Sequence, residues 1–82
     1  MQKKLSELRP GETGTVLWLT NTGAIRRRLT DIGLTAGCAV ACLQKSPLGD
    51  PVAYEIKRAV MALRREDACH IYVETGGRTP WA

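Results

Sequence analysis

Four side chains in this sequence, three cysteines and one histidine, have the chemistry of metal ligands or nucleophiles. Cys69 and His70 are adjacent at the start of a predicted strand, where consecutive side chains point to opposite faces and cannot close on one ion. Cys38 and Cys42 share one predicted strand, which places them about 13 Å apart, too far to bind one zinc ion together. We therefore predict small buried thiols at all three cysteines, and only a weak metal site that joins Cys69 or His70 to distant residues stays open.

A catalytic mechanism needs residue sets that this sequence does not contain. It has no second histidine, no glycine-rich phosphate loop and no motif that pairs a nucleophile with a base and an orienting group. We therefore predict a protein that is not an enzyme and that uses no cofactor.

Length and charge limit the remaining classes of function. A chain of 82 residues is one small domain, and its net charge of +4 is compatible with nucleic acid, an acidic protein surface or an anionic membrane face. No apolar run approaches the roughly 20 residues of a membrane span, and the start "MQKKLSELRPGE" lacks the apolar segment of a secretory signal. Together with an odd number of cysteines, this predicts a cytoplasmic protein with free thiols.

Short apolar segments separated by turn residues predict a mainly β fold. Five such strands and few helical residues favour a small β-barrel, which protects strand edges in a short chain. We expect a single domain over 1–75 with a short helical turn at about 65–68, followed by a flexible tail over 76–82. The predicted strands cover 13–19, 38–45, 52–57, 59–63 and 70–74, with a tight hairpin turn at Lys57 and Arg58.

One α-helix is predicted at about 23–32. Asn21 or Thr22 can cap its first amides, and one apolar stripe faces the barrel, formed by Ile25, Leu29 and Ile32. Gly33 then ends the helix because glycine adopts the left-handed conformation without a steric penalty. Leu34 folds back onto Leu29 in a Schellman ending.

Three consecutive arginines, Arg26, Arg27 and Arg28, surround this helix as a collar, because successive residues are about 100° apart. Asp31 offsets part of the charge of Arg27 and Arg28. Arg26 lies near the positive end of the helix dipole, so local stability is a poor reason for its presence. A solvated face, a docking surface for an acidic partner and a phosphate contact all remain open for the collar.

The stretch "SPLGDPV" concentrates turn residues between two strands and predicts a loop of fixed shape. Leu48 is the informative residue there. Its apolar side chain either packs into the mouth of the barrel or stays exposed for a partner.

Nucleic acid binding is the alternative function. Small barrels with basic edges bind RNA or DNA, and the arginine collar together with Lys57, Arg58, Arg64 and Arg65 can line such a surface. Against this stands the small number of aromatic residues in the strands, none of which alternates with arginine as in single-strand binders. They are Trp18, Tyr54 and Tyr72.

The order "LSELRPGETGTV", "RRRLTDIGLTAG", "PLGDPV", "ALRREDA" and "IYV" resembles the FeoA family of ferrous iron transport proteins. The resemblance covers the chain from Leu5 to Val73. It implies an SH3-like β-barrel that assists FeoB, a membrane-embedded ferrous iron transporter with a cytoplasmic GTP-binding domain. It therefore predicts an accessory or regulatory protein of iron uptake, with no cofactor of its own.

The resemblance also assigns residues. Its helix motif matches Arg27 and Arg28 with Leu29, Gly33 and Leu34, and its loop matches 47–52. We expect partner contact at Arg26, Arg27, Arg28, Leu48 and Asp50. We expect a role in the fold for Leu29, Gly33, Leu34, Gly49 and Pro51.

Overall fold

The computed structural model describes residues 1–75, and the expected tail over 76–82 lies outside the described residues. Six strands, two short helices and one 3-10 turn at Leu5–Glu7 lie within these 75 residues. The strands are β1 (Gln2–Lys4), β2 (Thr13–Leu19), β3 (Ala39–Lys45), β4 (Val52–Ile56), β5 (Ala59–Leu63) and β6 (Ile71–Glu74). The helices are α1 (Gly23–Asp31) and α2 (Arg65–Ala68).

The strands form one antiparallel sheet in the order β1-β6-β2-β3-β4-β5. This confirms the mainly β prediction and its hairpin, and adds a sixth strand, β1. Strand β1 is not predictable from the sequence, because its three residues are too few for alternation and become a strand only by pairing with β6. The predicted helix at about 23–32 is present as α1, and the helical turn at 65–68 is present as α2.

The sheet curls around one core, so its two ends approach each other. The Tyr54 hydroxyl on β4 donates a hydrogen bond of 3.3 Å to the Leu5 carbonyl, which directly follows β1 at the other end of the sheet. Both residues are buried. The core between them is filled mainly by aliphatic side chains that alternate along the strands, including Val16, Val40, Ile56, Leu63, Ile71 and Val73.

Helix α1 ends as its sequence predicts. The Leu34 amide donates to the Leu29 carbonyl at 2.9 Å, the Gly33 amide donates to Thr30 at 3.0 Å, and Gly33 has a φ of +92°. These are the two hydrogen bonds of a Schellman motif. Leu29 and Leu34 are fully buried, and Ile25 and Ile32 pack against the same core.

The predicted side-chain cap of α1 is wrong. Thr22 occupies the N-cap position, but its hydroxyl makes no capping hydrogen bond. Asn21 is buried and turns away from α1, because its amide nitrogen donates to the Asp67 carbonyl of α2 at 3.0 Å. The side chain therefore joins two helices instead of capping one.

The hairpin between β4 and β5 turns at Lys57 and Arg58, as predicted. Both residues have positive φ values, +49° and +70°, although neither is glycine. Two successive residues in this conformation match the twist of the flanking strands in a two-residue hairpin.

The cysteines follow the prediction in part. Cys38 and Cys42 are buried free thiols, whereas Cys69 at the end of α2 is only partly buried. Its Sγ contacts the Glu66 carbonyl one helical turn earlier, at 3.4 Å. Buried placement therefore holds for the two cysteines at β3 and not for the third.

Candidate partner-docking surface

Arg27 and Arg28 extend into solvent from the middle and the last turn of α1. Neither forms an ion pair with Asp31, since the ion pairs within residues 1–75 join the Met1 amino group to Glu74 and Lys3 to Glu12. The predicted offset of charge by Asp31 is thus weaker than its sequence spacing indicates. Two uncompensated guanidinium groups remain available to an anionic partner.

Arg26 has a structural role that could not be predicted from the sequence. One nitrogen of its guanidinium group donates to the Leu19 carbonyl at 3.0 Å and to the Asn21 carbonyl at 3.2 Å. It thereby holds the segment between β2 and α1 in place. The expectation that local stability explains little of Arg26 is therefore wrong, although the side chain is also exposed.

Beside Arg26 lies a shallow pocket of about 190 Å³ between α1 and the outer side of β2. Trp18 lines this pocket and is 43 % exposed. Its ring stacks on that of Tyr72 on the neighbouring strand β6, with centroids 4.9 Å apart. The collar therefore borders an apolar recess as well as solvent.

The loop between β3 and β4 is a tight turn with an exposed tip. The Gly49 amide donates to the Ser46 carbonyl at 2.8 Å, and Gly49 has a φ of +83°. Leu48 is 93 % exposed, so of the two placements open to it the structure has the exposed one. An apolar side chain on a tight, solvated turn is suited to insertion into a partner.

Asp50 is already engaged within the fold. Its carboxylate accepts a hydrogen bond of 2.8 Å from the backbone amide of Arg65, the first residue of α2. Arg64 at the N-cap position offers no capping side chain, so Asp50 supplies the cap from a distant loop.

Helix α2 thus connects the two parts of the predicted surface. Asp50 of the loop holds its first residue, and Asn21, just before α1, binds the carbonyl of its third residue, Asp67. The loop and the start of α1 are therefore brought to opposite ends of one four-residue helix. We use the term docking surface for the exposed residues among those predicted to contact a partner and free of such backbone contacts, Arg27, Arg28 and Leu48. Arg26 and Asp50 are its supporting residues, because both hold backbone groups of neighbouring elements.

Other chemistry has little support in the described structure. Within residues 1–75, no three His, Cys, Asp or Glu side chains converge in a way that would hold a metal ion. His70 Nδ1 lies 3.1 Å from the Thr20 hydroxyl. Burial raises the pKa of the Cys42 thiol, which makes it a poorer nucleophile at neutral pH.

The aromatic residues also bear on the nucleic-acid alternative. Tyr54 is 1 % exposed, and burial raises its pKa to about 12. Trp18 and Tyr72 stack on each other instead of presenting two open faces. A single-stranded ligand would have to compete with that stack for its own base contacts.

Comparison with known proteins decides the family. The family model described as the FeoA domain matches residues 3–75, which is nearly the whole chain. The chain belongs to the FeoA family. FeoA proteins take part in ferrous iron transport, and the resemblance in the sequence is confirmed.

A curated FeoA relative extends this comparison. The chain is 38 % identical over 71 residues to the Fe(2+) transport protein A/Fe(2+) transporter FeoB fusion protein of Porphyromonas gingivalis. That alignment covers 87 % of this chain and 8 % of the fusion protein. The chain therefore corresponds to a small part of that relative's length.

Solved FeoA structures share the fold. FeoA from Chlorobium tepidum has a TM-score of 0.86 at 36 % identity, covering 92 % of this chain and 71 % of that one. FeoA from Stenotrophomonas maltophilia, complexed with zinc and described as a procaryotic SH3 domain protein, has a TM-score of 0.76 at 29 % identity, covering 90 % and 89 %. The SH3-like fold expected from the sequence is confirmed. Neither helix within residues 1–75 is long and apolar enough to cross a membrane.

Proposed function

We propose that this FeoA protein is a non-enzymatic, cytoplasmic accessory of ferrous iron uptake that binds the cytoplasmic side of a FeoB-like transporter. The observation that carries the proposal is the fusion relative, in which protein A and the transporter FeoB form one polypeptide. Fusion places two proteins at high effective concentration and is expected of proteins that act together.

The contact uses the docking surface defined above. Arg27 and Arg28 supply exposed positive charge, and Leu48 supplies an apolar anchor on a tight turn. Charged groups of this kind steer association, while a well-seated apolar residue slows dissociation. The partner surface is accordingly acidic with an apolar recess, and the GTP-binding part of the transporter is the proposed location. Docking there modulates assembly or activity of the transporter.

The test is binding of the full chain to detergent-solubilised FeoB, with and without a non-hydrolysable GTP analogue. We expect saturable binding that Arg27→Glu and Arg28→Glu each weaken about fivefold at physiological salt. Leu48→Ser is expected to weaken it by a similar factor and to increase the dissociation rate. Circular dichroism should be unchanged in all three variants, because these side chains are exposed.

Lys4→Glu is the matched control, because it makes the same charge change at an exposed position on β1. Equal weakening by Lys4→Glu would replace the docking surface with general charge attraction. No binding in either nucleotide state would overturn the proposed function.

A further inference from the structure

Strand β5 forms one edge of the sheet, and the outer backbone groups of this edge have no partner strand within residues 1–75. It stands at the end of the strand order, so within residues 1–75 no strand pairs with its outer edge. Its five residues, "AVMAL", contain no charge and no proline, and its register with β4 is unbroken. The pairs β2–β6 and β3–β4 each contain a register shift. Bulges, proline and charge are the devices that normally prevent an edge strand from pairing, and β5 has none of them within its length.

The backbone groups that face outward can be identified from the hairpin. In a two-residue hairpin the residues that flank the turn, Ile56 and Ala59, form a hydrogen-bonded pair, and such pairs alternate along the ladder. Val60 and Ala62 therefore belong to the pairs that are not hydrogen-bonded, and their N–H and C=O groups point away from β4. Both side chains are exposed, Val60 by 65 %. The open edge thus offers the N–H and C=O groups of two residues that lie two positions apart along β5.

Arginines lie at both ends of this edge. Arg58 precedes β5, and Arg64 and Arg65 follow it, all exposed. The five residues between them span about 17 Å. The acidic residues nearby are Glu55 on β4, opposite Val60, and Glu66 and Asp67 in α2, which follow Arg65. Exposed arginines on either side of an uncharged strand favour a ligand whose ends are acidic and whose middle is uncharged.

The same charges argue against a second copy of this chain. Antiparallel pairing of two β5 edges would place Arg58 of one copy near Arg64 and Arg65 of the other. Parallel pairing would place each arginine beside its own counterpart. Like charges directly opposite one another destabilise strand pairing.

A recess lies next to the edge, on the outer side of the sheet. It has a volume of about 490 Å³ and is formed mainly by small or apolar residues. Its lining includes Pro47, Pro51, Ala53 and Ala62. An added strand that hydrogen-bonds to Ala62 would have room there for one of its side chains.

We propose that the outer edge of β5 binds an extended, acid-flanked segment of another polypeptide as an added antiparallel strand. Backbone hydrogen bonds to Val60 and Ala62 hold the segment, and the arginines at either end select carboxylates. This is strand addition to an exposed sheet edge, with charge setting the preference. The β5 edge lies apart from α1 in the strand order, whereas its recess shares Pro47 and Pro51 with the β3–β4 loop that carries Leu48.

The probe for this site is a synthetic peptide of about nine residues with alternating threonine and valine between two acidic residues at each end. Its binding to the full chain is measured by fluorescence anisotropy at about 150 mM salt. We expect saturable binding, with amide shift changes at Val60 and Ala62 in NMR spectra. Peptides with lysine at the ends, or with proline at the centre, should bind at least tenfold more weakly.

Variants separate edge pairing from general attraction. Val60→Pro removes an outward N–H without removing a β4–β5 hydrogen bond, so it should keep the fold and lose at least tenfold in affinity. Arg58→Glu and Arg64→Glu should each lower the affinity for the peptide about fivefold. These two variants test the site without placing a proline in the strand. Arg27→Glu, on α1, should bind the peptide like the unaltered chain.

Three results would overturn the proposal. One is a flat titration of the unaltered chain, and another is equal weakening by Arg27→Glu and Arg58→Glu. The third is a dimer of the chain that Val60→Pro abolishes, because the edge would then be occupied by a second copy. FeoB binding that depends on Arg27 would survive each of these results, so failure here is distinguishable from failure of the proposed function.

Discussion

The side chain of Lys57 lies across Gly33, so that the hairpin turn covers the end of α1. A Cβ at position 33 would be 3.0 Å from Cδ and 3.1 Å from Nζ of Lys57. The Lys57 ammonium group is therefore close to the C-terminal end of α1, where the helix dipole favours positive charge. Arg58, the other residue of the turn, is exposed to solvent and does not share this contact with Gly33.

The first prediction concerns this glycine. Gly33→Ala should lower the free energy of unfolding by about 1 to 2 kcal/mol, because alanine at a φ of +92° is strained. Gly37→Ala is the matched control, with a φ of +90° and open space around its Cβ position. Since the lysine chain end can move aside, urea denaturation should show similar losses for both variants. A much larger loss at Gly33 would mean that Lys57 is fixed in place.

Alanine substitutions at Arg26 and at Arg27 should differ clearly in their effect on the free energy of unfolding. Arg26→Ala removes two hydrogen bonds to backbone carbonyls and should cost about 1 kcal/mol. Arg27→Ala removes an exposed side chain and should change stability by less than about 0.5 kcal/mol. Thermal unfolding of both variants measures the difference. Equal stability of the two would show that the Arg26 contacts contribute nothing to the fold.

Asp50 should stabilise the fold by capping the first residue of α2. Asp50→Ala removes the acceptor for the Arg65 amide and should lower the free energy of unfolding by about 1 kcal/mol, whereas Asp50→Asn keeps an acceptor oxygen and should lose less. Amide hydrogen exchange at Arg65 should rise in the alanine variant. Unchanged exchange there would contradict the capping role.

Stability should fall at high pH because of Tyr54. Burial raises its pKa to about 12 in the folded protein, against about 10 in the unfolded chain. The resulting stabilisation is complete below about pH 10 and is lost between about pH 10 and 12, because the unfolded chain releases the proton first. The loss is of the order of 2 to 3 kcal/mol.

Tyr54→Phe is the control for this titration. It should flatten that part of the pH profile while keeping the effect of Cys42, whose pKa burial also raises. It also removes the hydrogen bond to Leu5, so it should be less stable near neutral pH. An unaltered slope between pH 10 and 12 in this variant would assign the effect to another group.

The sequence predicted those elements whose signals are local. Leu29, Gly33 and Leu34 define the end of α1 through spacing and one glycine, and all three lie as expected. The hairpin at Lys57 was predicted from alternation on either side of it. Strand β1 could not be predicted, because its structure comes from pairing with β6, which is distant in sequence.

The site was less accessible to sequence reasoning for the same reason. The contacts of Arg26, Asn21 and Asp50 all reach backbone groups on other elements, and none of these partners has a side-chain signature. Exposure of Leu48 was one of two open alternatives, since composition defines a turn without defining where its tip points. Partner contact by Arg27, Arg28 and Leu48 stays a prediction.

Pairing of β1 with β6 has one more consequence, because it brings residues 1 and 75 together. The Met1 amino group donates to the Thr75 carbonyl at 2.7 Å, and the Thr75 amide donates to the Met1 carbonyl at 2.8 Å. A domain that enters and leaves at one point can be inserted into another polypeptide, or circularly permuted, with little disturbance of its core. A permutant opened at the exposed turn around Leu48 should therefore fold. Its chain ends, and any covalent link to another polypeptide, would then lie at that turn instead of beside β1 and β6.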